Sequence, residues 1–95
     1  KGFLEEQTRI QDAFSAAQSA GLGPGSDEAQ AAAARHFAWI SDSWQGKSPT
    51  AELFTNLGEM YVADERFAKN YTRVHATGAE FVRDAMRIYA ERTLD

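Results

Sequence analysis

An all-α fold of about five helices is predicted by three features of the chain. Apolar residues recur at three- and four-residue steps in four separate stretches, and helix-starting residues stand in front of all but the first. No segment alternates apolar and polar positions in the way a half-buried strand would.

The first stripe, Phe3, Ile10, Ala13, Phe14 and Ala17, is modest, and the run Gly21-Leu22-Gly23-Pro24-Gly25 ends it. Ser26 or Asp27 can cap the second helix, with Gln30 three residues after Asp27 completing a box-like arrangement. That helix runs to about Trp44, and Gln45-Gly46-Lys47 forms a loop. Ser48 and Pro49 read as the N-cap and first helical position of a third helix, extending to about Ala63. Its broad apolar face comprises Leu53, Phe54, Leu57, Met60 and Tyr61. Asp64 can cap a short helix carrying Phe67 and Tyr71. Thr77 and Glu80 form a Thr-x-x-Glu capping box before the last helix, whose rows Phe81, Ala85, Ile88 and Val82, Met86, Tyr89 are spaced for burial. Phe67, Phe81, Val82 and Ile88 are assigned to the core, and Arg66 to a carboxylate or a helix end.

With 95 residues and 43% hydrophobic content, the chain suits one domain, 1–95, with a small core. It begins at Lys1 without an initiator Met and so reads as a piece of a longer protein. Its net charge of −4 and lack of a basic stripe argue against direct binding of DNA or RNA. No apolar run is long enough to span a membrane, and no signal peptide is evident. Cysteine is absent, which excludes thiolate nucleophiles and is compatible with a cytoplasmic location.

No catalytic set stands out, so the chain is not expected to be an enzyme. His36 and His75 are far apart and lack companion ligands at the usual spacing, so no metal or other cofactor is expected. The second helix is more informative. At about 100° per residue, Ala33, Phe37, Ile40 and Trp44 share one face, with His36 at its edge and Trp39 well outside. Trp39 either packs against another element or, with His36 one turn away, forms the aromatic and hydrogen-bonding wall of a pocket. Gly58 permits either close helix packing or an open groove beside Phe54 and Tyr61.

The stretch "LGEMYVADERFAKNY", Leu57 to Tyr71, resembles the signature of antibiotic-recognition domains of the thiostrepton-induced-protein (TipAS) type. Upstream, "SDEAQAAAARHFAWISDSW" is similar to the family's helix ending in a His/Trp-rich segment. Downstream, "EFVRDAMRIYAERTL" is similar to its closing helix. The resemblance implies a compact, globin-like helical fold with a ligand cleft between helices. It implies noncovalent binding of large hydrophobic antibiotics such as thiopeptides, coupled to ordering of the N-terminal part, so that 1–25 is expected to be mobile without ligand. It places the domain at the C-terminal end of a MerR-family (mercury-resistance-regulator) activator of multidrug-resistance genes. DNA would be bound only through an N-terminal domain absent from this sequence. The full-length protein would be a homodimer, and this piece alone a monomer that does not engage membranes.

Some relatives carry a reactive cysteine just before the Leu-Gly-Glu-Met-Tyr run, where this chain has Asn56. The expected binding wall is His36, Trp39, Trp44, Phe54, Leu57 and Tyr61, with Ile10 and Phe14 closing over it. Two other classes remain open: a helical protein–protein interaction module, and a haem or oxygen sensor suggested by the globin-like architecture.

Overall fold

The computed structural model describes residues 2–94 and contains five helices: α1 (Gly2–Ser19), α2 (Asp27–Ser43), α3 (Ala51–Ala63), α4 (Glu65–Ala68) and α5 (Gly78–Thr93). Among the described residues there is no strand. Helix class, number and order agree with the sequence-based expectation.

α1 ends where the glycine-rich run begins. Leu22 N–H reaches the Ala17 carbonyl and Gly21 N–H that of Gln18, each at 3.0 Å, with Gly21 at φ +77°. This is the glycine-terminated hydrogen-bond pair that satisfies the orphan carbonyls of a helix end. The chain then turns directly into α2, capped by Ser26, whose Oγ accepts from Ala29 N–H at 3.2 Å.

Three cap assignments change. Gln30 does not complete a box with Asp27; its Nε2 donates to the carbonyls of Pro24 at 2.8 Å and Ala85 at 3.1 Å, tying the turn to α5. Thr50, not Ser48, caps α3, its side chain accepting from Leu53 N–H at 3.1 Å. Ser48 is occupied by the Ser41 hydroxyl, and Pro49 is buried ahead of the cap. Thr77 makes no side-chain cap bond, because its hydroxyl accepts from Gln18 Nε2 of α1 at 2.8 Å. In each case a partner across a loop or distant in sequence takes a group that local spacing assigned to a helix end. Asp64 does cap α4, accepting from Arg66 N–H at 3.0 Å, and also pairs with the Arg66 guanidinium at 2.8 Å.

α3 packs on α5, α1 on α2, and α2 on α5. Gly58 decides the first of these contacts: a Cβ there would lie 3.1 Å from Arg83 Cα and 3.4 Å from the Arg83 carbonyl. It is a close-packing glycine, accepting about 1 kcal/mol of helix propensity for the approach. The segment between α4 and α5 folds back so tightly that a Cβ on Gly78 would collide with the Tyr71 carbonyl.

The Cα radius of gyration, 12.1 Å, matches the roughly 12 Å of a compact domain of this length, so α1 lies against the body and does not project as an arm. Ile10, Gln11, Phe14 and Ala17 form its buried side. Ile88 and Phe67 are half-buried, whereas Phe81 and Val82 are fully part of the core. The largest fully buried side chains are Phe14, Phe54, Ile10, Met86, Val82 and one polar residue, His36.

Candidate functional site

α2 presents Ala29, Ala32, Ala33, His36 and Ile40 to the interior. The small alanines let α1 and α5 close from both sides, which moves the centre of the buried face to His36. His36 therefore lies in the middle of the seam, not at its edge, and is 1% exposed. Phe37 and Trp39 flank it on opposite sides, half-buried, and Trp44 at the C-cap is exposed.

Five aromatic rings surround the imidazole. Trp39 lies parallel to it (5.8 Å between centroids, 12° between planes), while Phe14 and Tyr71 approach edge-on and Phe54 and Tyr61 at a tilt. Tyr61 is in turn stacked with Phe67 and Tyr71. His36 Nε2 is 2.9 Å from the Tyr61 hydroxyl, whereas Nδ1 is buried without a hydrogen-bond partner. Burial pulls the His36 pKa down to about 4, so the ring is neutral at pH 7. The same burial pushes Tyr61 up to about 12, and Tyr71 is raised further by burial and by the neighbouring Tyr61 phenol.

Of the five rings, Trp39 also lines a groove. This groove, about 440 Å³, opens between the first turns of α1 and the last turns of α2 and is lined by Gly2, Phe3, Glu6, Arg35, Ala38, Trp39 and Asp42. Phe3 stacks on Trp39 at 4.4 Å, and its carbonyl accepts from the indole Nε1–H at 2.8 Å. Arg35 clasps Glu6 through two hydrogen bonds, at 2.8 and 3.0 Å, and its guanidinium holds the Glu6 carboxyl below the usual carboxylate range. A second groove of about 470 Å³ lies between the later turns of α1 and the start of α2, lined by Ala13, Ala16, Ala17, Ala20, Leu22, Glu28 and Ala31. Positions 28, 31, 35, 38, 39 and 42 share one side of α2 at about 100° per residue. Both grooves thus open on the same outer face of the α1–α2 pair, with the Glu6–Arg35 clasp between them.

Of the expected wall, His36, Trp39, Phe54, Tyr61 and Phe14 come together in and around the aromatic shell. Ile10 is buried in the same core, and Leu57 is half-buried against it. Trp44 stands apart, exposed beyond the groove lining. Phe14 and Ile10 are inside the domain, where they dock α1. Asn56 lies in a separate groove of about 300 Å³ between α3 and α5, with Ala51, Ala90 and Leu94 among its neighbours. Phe3, Glu6, Arg35 and Tyr71 complete the arrangement and were not legible as site residues. Nothing in local spacing pairs positions so far apart. His75 bonds the Ser19 hydroxyl at 2.8 Å, and among the described residues no group of three His, Asp or Glu could hold a metal.

The family model of the TipAS antibiotic-recognition domain matches residues 1–89. The chain belongs to this family. The HTH-type transcriptional regulator SkgA of Caulobacter vibrioides (strain NA1000 / CB15N) is 33% identical over 88 residues, covering 93% of this chain and 34% of the regulator. The same regulator from strain ATCC 19089 / CIP 103742 / CB 15 matches equally. The chain therefore spans about a third of the length of these curated relatives. A solved structure of TipAS in complex with nosiheptide, from a thiopeptide antibiotic multidrug resistance system of Streptomyces lividans, aligns with a TM-score of 0.78 at 33% identity. The alignment covers 93% of this chain and 60% of that one.

In this TipAS domain the stretch from Leu57 to Tyr71 builds the shell from beneath. Gly58 seats α3 on α5, Tyr61 bonds His36, Asp64 starts α4, and Phe67 and Tyr71 flank the Tyr61 ring. Its aromatics support the imidazole and do not line the outer grooves.

Proposed function

We infer that this chain is the drug-sensing effector domain of a MerR-type transcriptional activator. It binds large, hydrophobic, thiopeptide-like antibiotics noncovalently and so induces transcription of multidrug-resistance genes. The observation that carries this reading is the outer face of α1–α2. Two grooves, of about 440 and 470 Å³, run there beside a tryptophan stacked on a buried polar ring. Aromatic surface with a few oriented polar groups suits an apolar ligand rich in heterocycles, and the family contains a domain solved with nosiheptide.

In this reading Trp39 is the principal contact, with His36 as its polar neighbour. Phe14, Phe54 and Tyr61 hold the imidazole from inside, Ile10 and Leu57 back that shell, and Trp44 lies outside the contact. The domain acts by binding, without catalysis. DNA recognition and homodimerisation belong to segments outside this sequence, and the regulator works in the cytoplasm. No helix of the described residues is long and apolar enough to cross a membrane.

Isothermal titration of the domain with nosiheptide, and in parallel with an unrelated apolar drug, tests this reading. Saturable binding of the thiopeptide with a negative heat-capacity change is expected from apolar burial. No heat and no saturation at solubility-limited concentrations would refute it.

A further inference from the structure

His36 Nδ1 is a buried polar atom with no partner, and such atoms carry a desolvation cost that a native fold seldom leaves uncompensated. Its surroundings are not alike on all sides. Phe14, Phe54, Tyr61 and Tyr71 pack around it as core, whereas the Trp39 indole, parallel to the imidazole, also lines the 440 Å³ groove. That indole is held by replaceable contacts. They are a stack on Phe3, itself 41% exposed, and one hydrogen bond to the Phe3 carbonyl in the first turn of α1. Helix termini open locally at little cost.

The chemistry also fixes the sense of the unused group. A phenol is the better donor and a neutral imidazole nitrogen the better acceptor, so Tyr61 donates to Nε2. The proton of the neutral ring then resides on Nδ1, which becomes a buried N–H seeking an acceptor.

We propose that Trp39 is a movable gate over His36, and that the Nδ1–H of His36 is the hydrogen-bonding anchor for an acceptor on the ligand, an azole nitrogen or amide carbonyl. Displacing the indole outward opens the imidazole to the groove, so that a ligand acceptor entering in the plane of the ring reaches Nδ1–H, and the indole then covers the ligand. This rests on the antibiotic-binding reading and adds to it a specific polar contact and a specific moving residue. It explains why a lone, half-satisfied histidine sits inside a shell of rings, and why one of those rings is parallel to it and only half-buried.

Nosiheptide, whose complex with the relative is solved, serves as the probe. With uniformly ¹⁵N-labelled domain, long-range ¹H–¹⁵N spectra of the imidazole follow Nδ1 directly, while amide spectra report binding independently. On saturation, both the His36 Nδ1 resonance and the Trp39 Nε1–H resonance shift. His36→Phe, which keeps the ring and removes the donor, weakens binding about tenfold, the worth of one hydrogen bond. Tyr61→Phe leaves Nδ1 in place and weakens binding less. Thermal unfolding of both variants establishes that they fold. If His36→Phe does not fold, the two resonances in the unmodified domain decide alone. Amide shifts with both ring resonances unmoved would overturn the gate and anchor while leaving the antibiotic-binding reading intact. Absence of any amide shift would remove both.

Discussion

His36 of α2 and Tyr61 of α3 meet through a 2.9 Å hydrogen bond at the centre of the domain, one fully buried and the other nearly so. The bond ties the two helices by a polar contact in a largely apolar interior. Four further aromatic side chains pack around the imidazole.

Removing the Tyr61 hydroxyl leaves a buried imidazole nitrogen without its partner. Tyr61→Phe is expected to lower stability by about 1–3 kcal/mol while preserving the helical circular dichroism spectrum. Urea unfolding at pH 7 measures the difference.

Acid weakens the fold through the same residue. The His36 pKa is depressed from 6.5 to about 4, so below 6.5 the unfolded chain takes up a proton that the folded one refuses. Stability from this group is complete above pH 6.5 and falls as the pH drops toward 4, by about 3 kcal/mol in all. Chemical denaturation from pH 7.5 to 4 reads the slope. In His36→Phe that contribution to the slope disappears.

Gly78→Ala should destabilise the domain toward the upper end of about 1–3 kcal/mol, even though alanine is the better helix former. The added Cβ meets the Tyr71 carbonyl, so the 71–77 segment must move. A rise in melting temperature would show that the segment is free to shift.

The helices themselves were legible because each carries its own periodicity and its own stops. Gly21, Ser26 and Asp64 act locally and were readable. Ser48, Thr77 and Gln30 were misassigned because residues distant in sequence, or across a loop, recruited their side chains. The pairing of His36 with Trp39 was visible one turn apart on α2. By contrast, the buried position of His36 depends on how closely α1 and α5 approach a run of alanines, which a helical wheel does not contain. Phe3 lies far along the chain from Trp39, and only the antiparallel packing of α1 on α2 brings them together.

Residues 1–25 are expected to open at a lower free energy than α3 or α5. α1 buries only Ile10, Gln11, Phe14 and Ala17, and exposes Phe3 and Leu4. Its remaining ties are largely exposed polar contacts such as Glu6–Arg35, which add little. Hydrogen exchange in the absence of ligand should show earlier exchange in α1, and protection there should rise when nosiheptide is added. Uniform protection across α1, α3 and α5 without ligand would contradict coupled ordering.

Nosiheptide should leave no covalent adduct. The sequence has no cysteine, and Asn56 offers only a delocalised amide in a groove away from the aromatic shell. Intact mass after incubation and denaturation should equal that of the unmodified chain. A gain of one drug mass would overturn noncovalent recognition.

The central claim, that the outer face of α1–α2 receives the antibiotic, is tested most directly by a ¹H–¹⁵N titration of the domain with nosiheptide. The largest shifts are expected at residues lining the two α1–α2 grooves and at the Trp39 indole, with the Trp44 indole little affected. Shifts concentrated instead around Asn56 and Leu94, between α3 and α5, would contradict it.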